Sequence, residues 1–273
     1  MDDANLVDGA RVAAFPGHAI AAPESSLHFS IFRYNPERDD KPYMQDFHID
    51  LILTDRMLLD VILRIRDSQD DSLTIRKSCH EGVCGSDAIN INGRNGLACV
   101  TRVRGLREPV VLRPLPSFPV IRDLVVDMTR FWKQYDSIKP YLVNDEPPPE
   151  KERLQSPAER DKLDGSYECI MCGCCTSQCP SSWWNPERFV GPAGLIQAYR
   201  FISDSRDRAT GERLEDLNSD PFRLFRCRTI MNCTEVCPMG LSPSRAIERI
   251  RLRMLDVQGH GGGLALHHVP TIR

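Results

Sequence analysis

No stretch of this chain is apolar over the roughly 18 residues that would suggest a transmembrane helix. If the protein works at a membrane, other subunits must hold it there. Neither sign of charge dominates: 35 Lys and Arg stand against 38 Asp and Glu, a formal net charge of −3. A nucleic-acid partner therefore has no electrostatic support. Residues 1–26 open on acids and lack a basic region followed by an apolar core. They resemble neither a secretory signal nor an Arg-rich, acid-poor transit peptide. They are expected to form a poorly ordered leader, with the prokaryotic cytoplasm as the simplest compartment. No G-x-G-x-x-G run marks a dinucleotide site, and no acid–base or nucleophile constellation stands out.

Cysteine, by contrast, is abundant. Eleven is an odd number, and no signal points to the oxidising compartment that disulfides would need. The residues also fall into three tight groups, which favours metal binding. Cys169, Cys172, Cys175 and Cys179-Pro180 spell C-x2-C-x2-C-x3-C-P. In two-cluster ferredoxins the fourth Cys of this run ligates the other cluster, so a second run is required. Cys227, Cys233 and Cys237-Pro238 supply it, with Ile230 where a further Cys would stand. The crossover then gives Cys169, Cys172, Cys175 and Cys237 to a 4Fe–4S cluster. Cys179, Cys227 and Cys233 remain, and three thiolates suit a 3Fe–4S cluster. Cys174 lies off the register and reads as a buried free thiol.

The third group is Cys79-x4-Cys84-x2-Asp87, followed by Cys99. Plant-type 2Fe–2S loops read C-x4-C-x2-C…C. Asp87 thus occupies a thiolate position, where a carboxylate keeps the charge but bonds through a harder oxygen. The competing reading makes Asp87 a solvated loop acid, with Cys174 as the only spare third ligand. Zinc competes at all three groups, although zinc sites favour C-x2-C knuckles over a C-x4-C loop.

Period-two alternation at 27–32 and 47–52 predicts two strands. Met57, Leu58, Val61, Ile62 and Ile65 recur at helical spacing, with Thr54 or Asp55 available as a cap. Short strands are predicted around 73–75, 89–91, 97–103 and 110–112, and Asn92-Gly93-Arg94-Asn95-Gly96 supplies the positive-φ residues for a hairpin. A connecting helix over 127–138 and a stiff Pro-rich linker at 145–150 follow. Ser156-Pro157-Ala158-Glu159 carries an N-cap, a first-turn Pro and a capping-box Glu. Helices are predicted over 192–203 and from 242 to 255. The expected fold class is α+β. A β-grasp, plant-type 2Fe–2S ferredoxin-like domain at 27–138 leads through a linker at 139–152. An all-helical, bacterial-ferredoxin-like (alpha-helical ferredoxin) domain then spans 153–256, with a loose tail at 257–273.

The loop SCHEGVCGSDAININGRNGLAC (78–99) and the run CIMCGCCTSQCPSSWWNP (169–186) are long and specific. With GPAGLIQAYRFISDSRD (191–207) and FRCRTIMNCTEVCPMGLSPSRAI (225–247), they resemble the iron–sulfur subunit of succinate dehydrogenase, respiratory complex II. The likeness covers roughly 27–255. It implies a partner flavoprotein subunit that oxidises succinate at FAD, since no flavin site is present in this chain. It implies electron transfer through 2Fe–2S, 4Fe–4S and 3Fe–4S clusters to a membrane quinone. It also implies membrane anchor subunits, with or without heme b, holding the chain peripherally at the cytoplasmic face of the inner membrane. The positions matching the family's quinone site are Pro180, Ser181, Trp184 and Ile230. Trp184 has an indole N–H to offer a quinone carbonyl, although Trp183 and Trp184 also read as core or interface aromatics. The family commonly has His where Arg228 stands, and Arg does not release its proton. A proton-shuttling role there is in doubt, while a fixed charge beside a cluster or a heme propionate remains open.

Three alternatives remain beside succinate oxidation. One is an iron–sulfur subunit of a quinol:fumarate reductase, the same parts run backwards. Another is a subunit of a different flavoenzyme feeding a soluble acceptor. The third is a non-catalytic, zinc-stabilised interaction protein, which would be colourless where iron–sulfur protein is brown.

Overall fold

The computed structural model describes residues 26–258. Most of the expected leader and tail lies outside them, but Ser26 already belongs to a strand and the last helix runs to Gln258. The first half contains β1 (Ser26–Arg33), β2 (Tyr43–Asp50), α1 (Leu58–Ser68), β3 (Ala88–Ile91), β4 (Arg94–Leu97) and β5 (Val110–Arg113). A two-stranded ribbon, β6 (Val120–Arg122) and β7 (Val125–Val126), and the helix α2 (Thr129–Asp136) complete it.

Alternation in β1 turns Leu27, Phe29 and Ile31 to one buried face, opposite Ile49 and Phe47 of antiparallel β2. β5 joins β1 in parallel and β3 antiparallel, giving the sheet order β2-β1-β5-β3-β4. This is the β-grasp arrangement. α1 covers the sheet with Leu58, Leu59, Val61, Ile62 and Ile65, all buried, as the helical period requires. The hairpin turn is shorter than the expected 92–96: Asn92 and Gly93 alone link β3 to β4 with φ of 49° and 88°, the two positive values that a two-residue hairpin needs, and Arg94, Asn95 and Gly96 belong to β4.

Two expected strands are absent, for identifiable reasons. At 73–75 the chain is held by a side chain: Thr74 N–H donates to Asp123 Oδ2 at 2.9 Å. Beyond Leu97 the chain turns away and its carbonyls serve α1. Leu58 N–H donates to Thr101 O at 2.8 Å and Leu59 N–H to Ala98 O at 3.0 Å, which satisfies donors that every helix start leaves over. Neither Thr54 nor Asp55 caps this helix. Asp60 does, accepting from Met57 N–H at 2.9 Å, while Asp55 accepts from Ile52 N–H and pairs with Arg64. The connecting helix is shorter than predicted, because Asp127 accepts from Thr129 N–H and starts it there.

The second half contains α3 (Pro157–Arg160), a 3-10 turn (Asp161–Leu163), α4 (Cys174–Ser177), α5 (Pro180–Trp184) and α6 (Gly191–Ser203). α7 (Thr210–Asn218), α8 (Asn232–Glu235) and α9 (Pro243–Gln258) follow. The Ser156–Glu159 capping box is formed, but α3 lasts a single turn. α6 is buried at 12 of its 13 residues and forms the axis of this half. α9 packs on it through Ala246, Ile247, Ile250 and Met254. The segment before the prolines is strapped down rather than free. Arg213, paired with buried Asp207, donates to the carbonyls of Ile138, Lys139 and Tyr141, and Val143 N–H donates to Asp207 Oδ2 at 3.0 Å.

Candidate metal centres

The loop at 78–86 wraps Cys79 in backbone donors. The N–H groups of Glu81, Val83 and Cys84 point at its sulfur at 3.5, 3.3 and 3.3 Å. Those of Glu81 and Cys84 do most to bring the thiol down to about 7, so a thiolate is favoured there. Cys84 Sγ accepts from Ser86 N–H at 3.5 Å. Asp87 is only 2% exposed. Its Oδ2 accepts from Cys99 N–H at 2.5 Å, whereas its equally buried Oδ1 has no partner among the described residues. A solvated loop acid would be exposed, so that reading fails. An orphaned carboxylate oxygen beside a thiol fits a ligand. Burial first, and then Asp87, push the Cys99 thiol up to about 12. Iron would reverse that balance, because a coordinating thiol is deprotonated outright.

In the helical half the two cysteine runs adopt one backbone. Met171 and Gly173 have φ of 53° and 81°, α4 follows, and Cys179-Pro180 closes the run. Thr229 and Met231 repeat this with 56° and 71°, followed by α8 and Cys237-Pro238. Ile230 therefore stands on the backbone position of Cys172. The runs face two separate cavities. One is lined by Cys169, Cys172, Cys175 and Cys237, with Ile196 and Leu241 among its walls. The other is lined by Cys179, Cys227 and Cys233, with Pro180, Ser181, Arg228 and Ile230. The fourth Cys of each run thus lies in the other run's cavity.

Burial raises the Cys169, Cys175 and Cys237 thiols, and takes Cys233 up to about 11. Such dry thiol rings need a cationic centre to hold thiolate charge. Four and three cysteines surround the two cavities, an arrangement that suits clusters of several irons. Cys174 is fully buried in the core beneath the sheet, its thiol bonded toward Cys172.

The four residues matched to quinone binding divide. Pro180, Ser181 and Ile230 line the second cavity, and Trp184 does not. Ser181 is buried and already donates its hydroxyl to Arg226 O at 2.9 Å, so it has an acceptor to offer rather than a donor. Trp183 donates its indole N–H to Ser177 O at 2.6 Å. Trp184 is 59% exposed, and Arg226 stacks over its ring at 5.6 Å. The sequence reading missed this Arg226 contact, which no spacing signals. Ile230, Met231, Phe225, Trp183 and Met239 are exposed as well. Among the described residues no helix is long and apolar enough to cross a membrane.

Comparison with known proteins agrees with this geometry. Residues 28–133 match the 2Fe-2S iron-sulfur cluster binding domain family, and residues 165–241 match the 4Fe-4S dicluster domain family. The succinate dehydrogenase iron-sulfur subunit of Coxiella burnetii is 59% identical over 84% of this chain and 97% of its own length. The mitochondrial succinate dehydrogenase [ubiquinone] iron-sulfur subunit 1 of Oryza sativa is 51% identical over 84% of this chain and 82% of its own. A chain of the Mycobacterium smegmatis Sdh1 complex superposes with a TM-score of 0.73 at 27% identity, over 87% of this chain and 99% of that one. With two ferredoxin-type domains in this order and relatives matched over 82% and 97% of their own lengths, the chain belongs to the family of succinate dehydrogenase iron–sulfur subunits.

Proposed function

We propose that Cys79, Cys84, Asp87 and Cys99 hold a 2Fe–2S cluster. Cys169, Cys172, Cys175 and Cys237 hold a 4Fe–4S cluster, and Cys179, Cys227 and Cys233 hold a 3Fe–4S cluster. When bound, these clusters supply one-electron carriers between FAD in a flavoprotein partner and a membrane quinone. The observation that carries the assignment is the partition of seven cysteines between two cavities, with the fourth Cys of each run crossed over and Ile230 closing the third site.

The chain's own residues hold the thiolates, aim backbone N–H groups at Cys79 and keep water from Cys175 and Cys233. The exposed apolar face at Trp184, Phe225, Ile230 and Met231 docks on membrane anchors at the cytoplasmic face of the inner membrane. Quinone sits between that face and the third site, with the Trp184 indole N–H as its donor from this chain. No protein acceptor for that N–H is found among the described residues, and a quinone carbonyl can only accept. Arg228 is exposed at the rim of the second cavity. It offers a fixed positive charge to an anion such as a heme propionate. The relatives' names favour succinate oxidation over fumarate reduction.

Purification with the native partners tests the whole reading. The oxidised complex is expected to show a 3Fe–4S EPR signal that vanishes on reduction, together with succinate:quinone turnover. Asp87→Ala should damage the 2Fe–2S signal alone, while Asp87→Cys retains it with altered lines. Two 4Fe–4S clusters by metal and sulfide analysis, or an unchanged 2Fe–2S spectrum in Asp87→Ala, would defeat the corresponding assignment.

A further inference from the structure

The loop of the first site touches the ligand run of the second. Gly85 directly follows Cys84, with φ of 68°, and a Cβ on it would lie 2.7 Å from Cys172 Cβ and 2.9 Å from Cys172 Cα. No larger residue fits without moving one backbone off the other. The same seam is held from another direction by a buried amide. Asn95, on β4, donates through Nδ2 to Cys174 O at 3.0 Å and to Ser177 Oγ at 3.1 Å. Its Oδ1 accepts from Asn90 Nδ2 at 2.8 Å, and Ser177 passes the chain on by donating to Pro116 O at 2.8 Å. Beside it, Arg94 donates to Glu235 O at 2.5 Å. A buried network in which every member is satisfied rigidifies its surroundings and specifies one arrangement. Here that arrangement is sheet against α4, the helix that carries Cys175.

We propose that Gly85 and Asn95 are positioning residues that set the gap between the first and second cluster sites. Gly85 lets the first loop close onto Cys172, and Asn95 holds the Cys174–Ser177 helix at that distance. The inference rests on the assignment of Cys84 and Cys172 as ligands. The step it governs is the passage of one electron from the reduced 2Fe–2S centre to the oxidised 4Fe–4S centre. The donor is oxidised by one electron and the acceptor reduced by one, with no bond made and no proton moved. The rate of such a transfer falls steeply with separation, so a seam opened by several tenths of an ångström slows it.

The test uses the assembled complex carrying Gly85→Ala, which leaves every ligand in place. In the fully reduced complex, microwave power saturation of the 2Fe–2S EPR signal reads its magnetic coupling to the neighbouring cluster. Rapid-freeze sampling after succinate addition reads electron arrival at the 3Fe–4S centre. A partial loss of coupling and a modestly slower arrival are expected, with the 2Fe–2S line shape and the iron content retained. Asn95→Ala should shift both readouts in the same direction by less, and it carries the test if Gly85→Ala does not assemble. Unchanged coupling and arrival in either fully loaded variant would overturn the proposal. Failure of both variants to load would also overturn it, by assigning the residues to folding alone. An error in the ligand assignment shows separately, as a Cys172→Ala complex that keeps its 4Fe–4S spectrum.

Discussion

The two cysteine runs of the helical half share a backbone and differ in what surrounds them. In the first run, Cys172 and Ile170 pack against the core under the sheet, and Gly173 lies beneath Phe118 and Met128. In the second, the matching Ile230 and Met231 are 45% and 53% exposed. Thr229 in that run holds a positive φ of 56°, a strained choice for a β-branched residue that costs on the order of 1–3 kcal/mol. The repeated backbone implies that thiol placement, rather than local preference, maintains this conformation. One fold thus makes a site packed against the β-grasp domain and another rimmed by the exposed side chains of Ile230 and Met231. On the proposed assignment a single side chain, Cys172 or Ile230, distinguishes their ligand counts. A terminal site with an exposed rim suits an acceptor that must arrive from another subunit.

The largest expected effect comes from breaking the crossover between the runs. Cys237→Ala, in the second run, should abolish the 4Fe–4S spectrum, and Cys179→Ala, in the first, should abolish the 3Fe–4S signal, each with loss of succinate:quinone turnover. EPR of the two variants decides this: the opposite pairing of variant and lost signal would refute the swap. Ile230→Cys should have an intermediate effect by making the second run resemble the first. Iron analysis is expected to show a further iron, redox titration a lower potential for that centre, and steady-state assays slower delivery to quinone. An unchanged 3Fe–4S signal would show that backbone identity is not enough to build the fourth ligand.

Trp184→Phe should have the smallest effect. It keeps the exposed ring and deletes the N–H, and a neutral hydrogen bond contributes on the order of 1 kcal/mol. A several-fold fall in kcat/KM for quinone is expected, with succinate oxidation by an upstream artificial acceptor nearly normal. Equal losses in both assays would indicate misassembly, and unaltered quinone turnover would return Trp184 to a packing role.

The grouping of the cysteines was legible because metal ligation demands fixed residue types at fixed spacing, and the two cavities sort Cys169 to Cys237 as that spacing requires. Likewise, burial of one face made β1, β2, α1 and α9 readable from period alone. What escaped depends on contacts between distant segments. The apolar residues of 97–103 look like a strand, yet the carbonyls of Ala98 and Thr101 are committed to the start of α1. Asp123, which holds Thr74, is far from it in sequence and leaves no local trace. The Arg226 stack on Trp184 and the approach of Gly85 to Cys172 are equally silent in any one-dimensional pattern. Ser181 illustrates a subtler limit. Its residue type promised a donor, but its proton is already spent on Arg226 O.

The interchange of Cys179 and Cys237 has a consequence for how the protein matures. Filling either cavity would recruit the last Cys of the other run, so insertion of one cluster would also restrain the segment that lines the other cavity. Pro180 opens α5 immediately after Cys179, and Pro238 leads into α9 soon after Cys237. Each insertion thereby orders a helix on the opposite side. On the proposed assignment, loading one cavity helps to order the chain around the other without being required for it. Oxidative damage at the site rimmed by Ile230 would release Cys179 and loosen the run that carries Cys169, Cys172 and Cys175. On that assignment, the durability of the site beneath the sheet depends in part on that of its neighbour.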